Sequence, residues 1–240
     1  MLHQTEVPPT KAPPPKRPPP FKPALLVVDF QEDFCPPNGS LAVPNGRSIA
    51  SPINHLLSLP FPLKIATKDF HPASHVSFSA NHPNTTPFTS TTTIVHPDDP
   101  SRSYTTTLWP VHCVQNTPGC ALVPELDTSN VHAVIEKGQD ERVEMYSAFY
   151  DPFRLSDSGL ASFMWVNGVT HVFVVGLAGD YCVKATAEHA VEEGYTTYIV
   201  EEATKPVTPD KWDECKRGIE AKGVTFISMD GEEVARVAAL

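Results

Sequence analysis

No stretch of this 240-residue sequence stays apolar for the ~18 residues that a membrane span requires. Its first residues also lack the apolar core of a secretory signal. Cationic side chains are scarce: 18 Lys and Arg stand against 28 Asp and Glu, a formal charge of −10. That balance argues against nucleic acid as a partner. Cysteine is sparse and odd in number, with five residues at positions 35, 113, 120, 182 and 215. They are spaced neither as a CxxC pair nor as the framework of a disulfide-stapled domain. These absences predict an intracellular protein in a reducing compartment, cytoplasmic, with the nucleus also open to it. A sizeable core is within reach, because hydrophobic residues make up 40%. A chain of this length buries about 70% of the surface its unfolded form exposes.

Proline is in excess, at 26 residues, more than twice the ~5% of average usage. Nine prolines lie between Pro8 and Pro23, interleaved with Lys11, Lys16, Arg17 and Lys22. Such a stretch lacks backbone donors and buries little, which predicts a disordered, polyproline-II-like tail over residues 1–22. Pro15-Lys16-Arg17-Pro18 fits a PxxP ligand for a partner module; a solvated extension without a partner fits as well. Residues 23–240 are then the folded domain.

From Ala24 the pattern changes. Ala24–Val28 is a short continuous apolar run, β-branched at its end, as expected of a strand buried on both faces. Similar runs recur at Leu63–Thr67, Val131–Ile135, His171–Val175, Thr196–Val200 and Val224–Ile227. Helical patterns fall between several of them, at Ser158–Val166, from Tyr181 to Glu193 before Gly194, and from Pro209 to Gly223. Alternating strands and helices predict a three-layer α/β/α domain with a mostly parallel, six-stranded, doubly wound sheet. The Thr-rich stretch from Asn81 to Thr107 shows no periodicity and reads as a long insertion or a lid.

In open α/β sheets ligands bind beyond the carboxyl ends of the strands. Asp29, Lys137 and Cys182 each stand at such an end. A thiol at a helix N-terminus feels the positive end of the macrodipole, a nearby ammonium lowers its pKa further, and a carboxylate can take its proton. The three thus supply a base, a cation and a nucleophile, although each alone also fits a turn cap, a solvated lysine or a buried small hydrophobe. Asp69 and His71 are two apart in an extended segment and point the same way. With His112 they make one carboxylate and two imidazoles, a set suited to catalytic Zn²⁺, Fe²⁺ or Mn²⁺; loop capping is the alternative for both histidines. Cys113 is set aside as a ligand, and His75, His82 and His96 are expected at the surface or behind the ligands.

Five blocks, in order, carry a resemblance. They are Val27–Phe34 with Gly39–Val43, Lys68–Pro72 with His75–Phe78, Leu108–Cys113, Glu136–Gly138 with Tyr146–Phe149, and Gly176–Val183. Together they resemble the nicotinamidases, within the isochorismatase-like cysteine hydrolase superfamily, across about residues 24–230. The resemblance implies hydrolysis of nicotinamide to nicotinate and ammonia in NAD salvage, with pyrazinamide a second substrate. It implies that Cys182 attacks the carboxamide carbon after Asp29 takes its proton, while Lys137 stabilises the thiolate. A cis peptide at Leu177–Ala178 would aim the Ala178 amide, with that of Cys182, at the oxyanion. Asp69, His71 and His112 would hold the metal, usually zinc. Phe34 and Trp109 would sandwich the ring, with Tyr181 beside it where other members carry His. Other members add a His or Glu ligand in the region that reads Pro72–Ser77 here. Two alternatives are a different small-amide hydrolase of the superfamily and a non-catalytic scaffold presenting the tail. The expected partner is a small molecule, with neither membrane nor nucleic acid, and a homo-oligomer is compatible with the sequence.

Overall fold

The computed structural model describes residues 20–240; the prolines of residues 1–19, including the PxxP segment, lie outside the described residues. Strand β1 (Pro23–Val28) is buried along its whole length. Its side chains alternate between two cores: Leu25 and Val27 pack on one side, Ala24, Leu26 and Val28 on the other. This is why the run is continuously apolar rather than alternating. Each fully buried Leu or Val contributes about 1.5–3 kcal/mol to holding the layers together.

β1 sits in a six-stranded parallel sheet. On one side lie β2 (Leu63–Asp69) and then β5 (Ala133–Lys137). On the other lie β6 (His171–Leu177), β7 (Thr196–Lys205) and β8 (Thr225–Ile227). Helices α1 (Ala50–Ser58) and α5 (Glu232–Ala238) cover one face through Ile53, Leu56, Val234 and Val237. Helices α2 (Leu160–Val166), α3 (Cys182–Glu192) and α4 (Trp212–Glu220) cover the other through Leu160, Met164, Val183, Ala187 and Ile219. The predicted doubly wound α/β/α sandwich is the observed one. Strand order reverses at β1, so its carboxyl end is the switch point at which such sheets open a crevice.

Three expectations shift. The strand predicted at Val131–Ile135 begins instead at Ala133 and runs to Lys137, because its pairing with β2 sets Asp69 opposite Lys137. The aperiodic stretch 81–107 contains an antiparallel hairpin, β3 (Thr91–His96) and β4 (Asp99–Thr107). Its Thr-rich strands suit extended backbone through β-branching, but Ile94 is the one aliphatic side chain of β3 that is buried. Hydrophobic alternation is therefore nearly invisible there. Finally, residues 20–22 are tied to the fold: Thr170 Oγ1 donates to the Pro20 carbonyl at 2.8 Å, and Phe21 packs edge-on against His171.

Candidate active site

Four neighbouring strand ends deliver the chemistry. Asp29 follows β1, Asp69 closes β2, Lys137 closes β5, and Cys182 opens α3 just beyond β6. All four are buried. Lys137 Nζ lies 2.9 Å from Asp29 Oδ2, contacts Asp69 Oδ1 more closely still, and sits 3.6 Å from Cys182 Sγ. The Met145 carbonyl accepts a further hydrogen bond from it at 3.1 Å. The predicted base, cation and nucleophile are thus one cluster.

Asp29 is held by Thr67, whose hydroxyl donates to Oδ1 at 2.6 Å. Oδ2 is ion-paired with the ammonium and has no other partner among the described residues. A carboxylate oxygen of Asp29 lies within 4.8 Å of the Cys182 sulfur. Burial pushes the Asp29 carboxyl above the usual carboxylate range, against the pull of Lys137. Burial opposes a charged Lys137 as well, but the carboxylates of Asp29 and Asp69 outweigh it and hold the ammonium protonated. The Cys182 thiol departs from the sequence reading. Burial raises it well above an ordinary thiol despite Lys137 and the helix start, because desolvation disfavours a thiolate more than those partial charges favour it. A neighbouring acceptor therefore eases its ionisation.

Asp69 is clamped through its backbone by Gln31, which accepts from its N–H at 2.8 Å and donates to its carbonyl at 2.8 Å. Oδ2 of Asp69 faces His71 Nε2 at 3.4 Å and His112 Nε2 at 3.9 Å. Each imidazole is oriented from behind: His71 Nδ1 donates to the Gly138 carbonyl at 2.7 Å, and His112 Nδ1 to that of Pro110 at 2.8 Å. With Nδ1 donating backward, both rings turn Nε2 toward Asp69, the orientation a metal ligand needs. Among the described residues His71 Nε2 is buried without a hydrogen-bond partner. Two imidazoles and one carboxylate, all within 4.8 Å, fit a divalent metal ion; Asp69 raises the His71 pKa against the burial that lowers it, so a metal ion takes the place of that ring's second proton. Burial, with the nearby His71, lowers His112 to about 4, keeping that nitrogen neutral. His75 is fully buried behind His71, with ring centroids 4.0 Å apart. Cys113 adopts positive φ and turns into the core.

A small cavity opens onto this cluster. Asp69, His112, Ala178 and Cys182 form part of its lining, and Phe34, Trp109 and Tyr181 supply aromatic walls. Phe34 packs against His112 at 5.5 Å and Trp109 edge-on against Tyr181 at 4.9 Å. The Leu177–Ala178 peptide is cis. The Cys182 N–H, at the first residue of α3, is among those a helix leaves without an internal acceptor.

Residues 23–231 match the isochorismatase domain. The chain belongs to the isochorismatase family. Its relatives include a nicotinamidase of Schizosaccharomyces pombe, 39% identical over 208 residues that cover 86% of this chain and 93% of that one. Among solved structures it resembles the yeast nicotinamidase bound to the inhibitor nicotinaldehyde, at TM-score 0.81 and 34% identity, covering 86% of this chain and 99% of the other. It also resembles the pyrazinamidase of Pyrococcus horikoshii in complex with zinc, at TM-score 0.67 and 31% identity, covering 86% and 99%. In this isochorismatase-family chain the cavity has two further polar walls that the sequence reading missed, Glu144 and Tyr146. They lie two apart in a loop without regular structure. Tyr146 opens the Tyr146–Phe149 block of the sequence but was given no role there, and Glu144 lies outside every block. Burial raises the Glu144 carboxyl to about 7.

Proposed function

We propose that this chain is a metal-dependent amidase that hydrolyses nicotinamide to nicotinate and ammonia. The observation that carries the reading is the buried Lys137 ammonium, which touches at once the oxygen of a base, a thiol and the carboxylate of a metal-ligand set.

In this reading Asp29 Oδ2 takes the Cys182 proton, and Lys137 stabilises the thiolate as it forms. The sulfur attacks the carboxamide carbon, and the amide N–H groups of Ala178 and Cys182 receive the developing oxyanion, a donor pair of a kind worth about 10²–10³ in rate for each member. Asp29 returns the proton to the amide nitrogen, and ammonia leaves a thioester on Cys182. A water molecule, losing its proton to Asp29, attacks the thioester carbon and releases nicotinate. The proton then passes back to the sulfur. Phe34, Trp109 and Tyr181 hold the ring while the carboxamide faces Cys182. Asp69, His71 and His112 would hold the metal ion, Zn²⁺ in our reading, with Fe²⁺ or Mn²⁺ compatible with the same donors. When bound there it supplies a Lewis-acidic anchor for the ring nitrogen. Pyrazinamide, an aromatic carboxamide of the same size, is a second substrate for the site.

The test is ammonia release from nicotinamide by the purified, metal-loaded protein, with Cys182→Ala alongside. Turnover by the wild type that is lost in the variant is expected. A folded, metal-loaded wild type that is inert toward nicotinamide overturns the proposal.

A further inference from the structure

The β3–β4 hairpin reaches the cavity wall through two side chains of β4. Tyr104 and Thr106 are two apart on one strand and project from the same face. The Tyr104 hydroxyl accepts the Glu144 N–H at 2.9 Å and lies 3.3 Å from the Glu144 carbonyl. Thr106 Oγ1 lies 2.9 Å from the Tyr146 hydroxyl. That same phenol oxygen accepts a hydrogen bond from Trp109 Nε1 at 3.0 Å. An indole N–H only donates, whereas the Tyr146 and Thr106 hydroxyls can each donate or accept in the bond they share. The hairpin is anchored in turn by Ile94, opposite Tyr104, which is buried against Val143 and Phe153.

The indole of Trp109 has other neighbours, Tyr181 at 4.9 Å and Phe88 at 5.9 Å, both edge-on. Edge contacts of this kind tolerate sliding and tilting, whereas a hydrogen bond weakens steeply once its angle opens. The polar chain Thr106–Tyr146–Trp109 therefore fixes the attitude of the aromatic wall.

We propose that Thr106 is a positioning residue for the substrate ring: acting through the Tyr146 hydroxyl, it orients Trp109 and so sets the affinity for an aromatic carboxamide it never touches. This inference rests on the amidase reading above. A ring wall interacts alike with substrate and transition state, so loosening it raises KM and leaves kcat nearly unchanged.

Thr106→Val keeps the shape and removes the hydroxyl that pairs with Tyr146. It is expected to raise KM for nicotinamide about tenfold, the scale of one buried hydrogen bond lost, with kcat within about twofold. Thr106→Ser should return KM to within about twofold of wild type, since it restores the hydroxyl. Tyr146→Phe cuts the chain from the other side, and the double variant should show no more than the larger single effect, as coupled partners do. An active enzyme whose KM is unmoved by Thr106→Val, or whose double variant is additive, overturns the inference. So does a fall in kcat and melting temperature that Ser fails to rescue. Should Thr106→Val not fold, Thr106→Ala takes its place: a raised KM at nearly unchanged kcat supports the inference, and an unchanged KM overturns it. A wild type inert toward nicotinamide overturns the amidase reading instead, so the two failures are distinguishable.

Discussion

Asp29 and Asp69 meet the same ammonium from neighbouring strand ends, and their carboxyls are driven in opposite directions. Lys137 touches both. Burial dominates at Asp29 and raises it. Burial opposes ionisation at Asp69 too, but Lys137 and then His71 overcome it and hold that carboxyl well below its usual range. Two acids whose environments separate them in this way suit two roles, a proton carrier and a permanent anion.

That division predicts different failures for two matched substitutions. Asp29→Asn should retain metal and lower kcat/KM by about 10²–10⁴-fold, the usual worth of a general base. Asp69→Asn should lose metal as well as activity, since a carboxylate ligand is gone. Metal stoichiometry by elemental analysis separates them; equal metal content in both would contradict the assignment.

The pH dependence follows from the same asymmetry. Asp29 must be unprotonated to accept the thiol proton, so kcat/KM should fall as the pH drops through its folded pKa. Because burial raises that pKa, the acid limb should lie above the ~3.9 of an unperturbed aspartate. The apparent value belongs to the Asp29–Lys137–Cys182 group as a whole. A profile recorded with metal content verified at each pH decides it, and an acid limb at or below ~3.9 would count against Asp29.

Removing the metal should abolish turnover, and adding Zn²⁺ back should restore it. Because a ligand that binds only the native state stabilises it, by about 2.7 kcal/mol at a hundredfold excess over Kd, re-addition should also raise the melting temperature. Full activity in metal-free protein would remove Asp69, His71 and His112 from the mechanism.

Gly138 offers a subtler test. Its φ of +69° disfavours any side chain, and a Cβ there would meet His71 Cε1 at 2.5 Å. Its carbonyl also orients that ring. Gly138→Ala should weaken metal binding about 10–100-fold, as loss of ligand orientation typically does, and should lower the melting temperature. Competition with a chromogenic chelator measures the first; unchanged affinity would show that His71 is not held from behind as described.

Much of this was legible in the sequence because burial on both faces leaves runs such as Leu25–Val28 and Val172–Val175 unbroken by polar residues, and because the polar residues that end them stand out. Asp29, Asp69 and Lys137 were found in this way. The resemblance supplied what spacing left open, namely how Trp109, Tyr181 and Ala178 relate to the cavity. The hairpin was not legible, since Thr91–Thr93 and Thr105–Thr107 present the same residue type to both faces. Nor was the height of the Cys182 pKa, which depends on desolvation by strands far away in sequence. Glu144 and Tyr146 were missed because a loop has no period: what aims them is Tyr104 and Thr106, forty residues earlier in each case.

Phe21 lies beneath the Arg236 guanidinium, 3.8 Å from it, and Pro20 is tied to Thr170. Both contacts are at the start of β1, whereas Asp29 follows its end, so six residues of extended chain, ~20 Å, separate them. The molecule has a working pole and an attachment pole. Pro20 and Phe21 are held at the base of the sheet while the cavity opens at the other end, so these anchoring contacts stay clear of the path by which small molecules come and go.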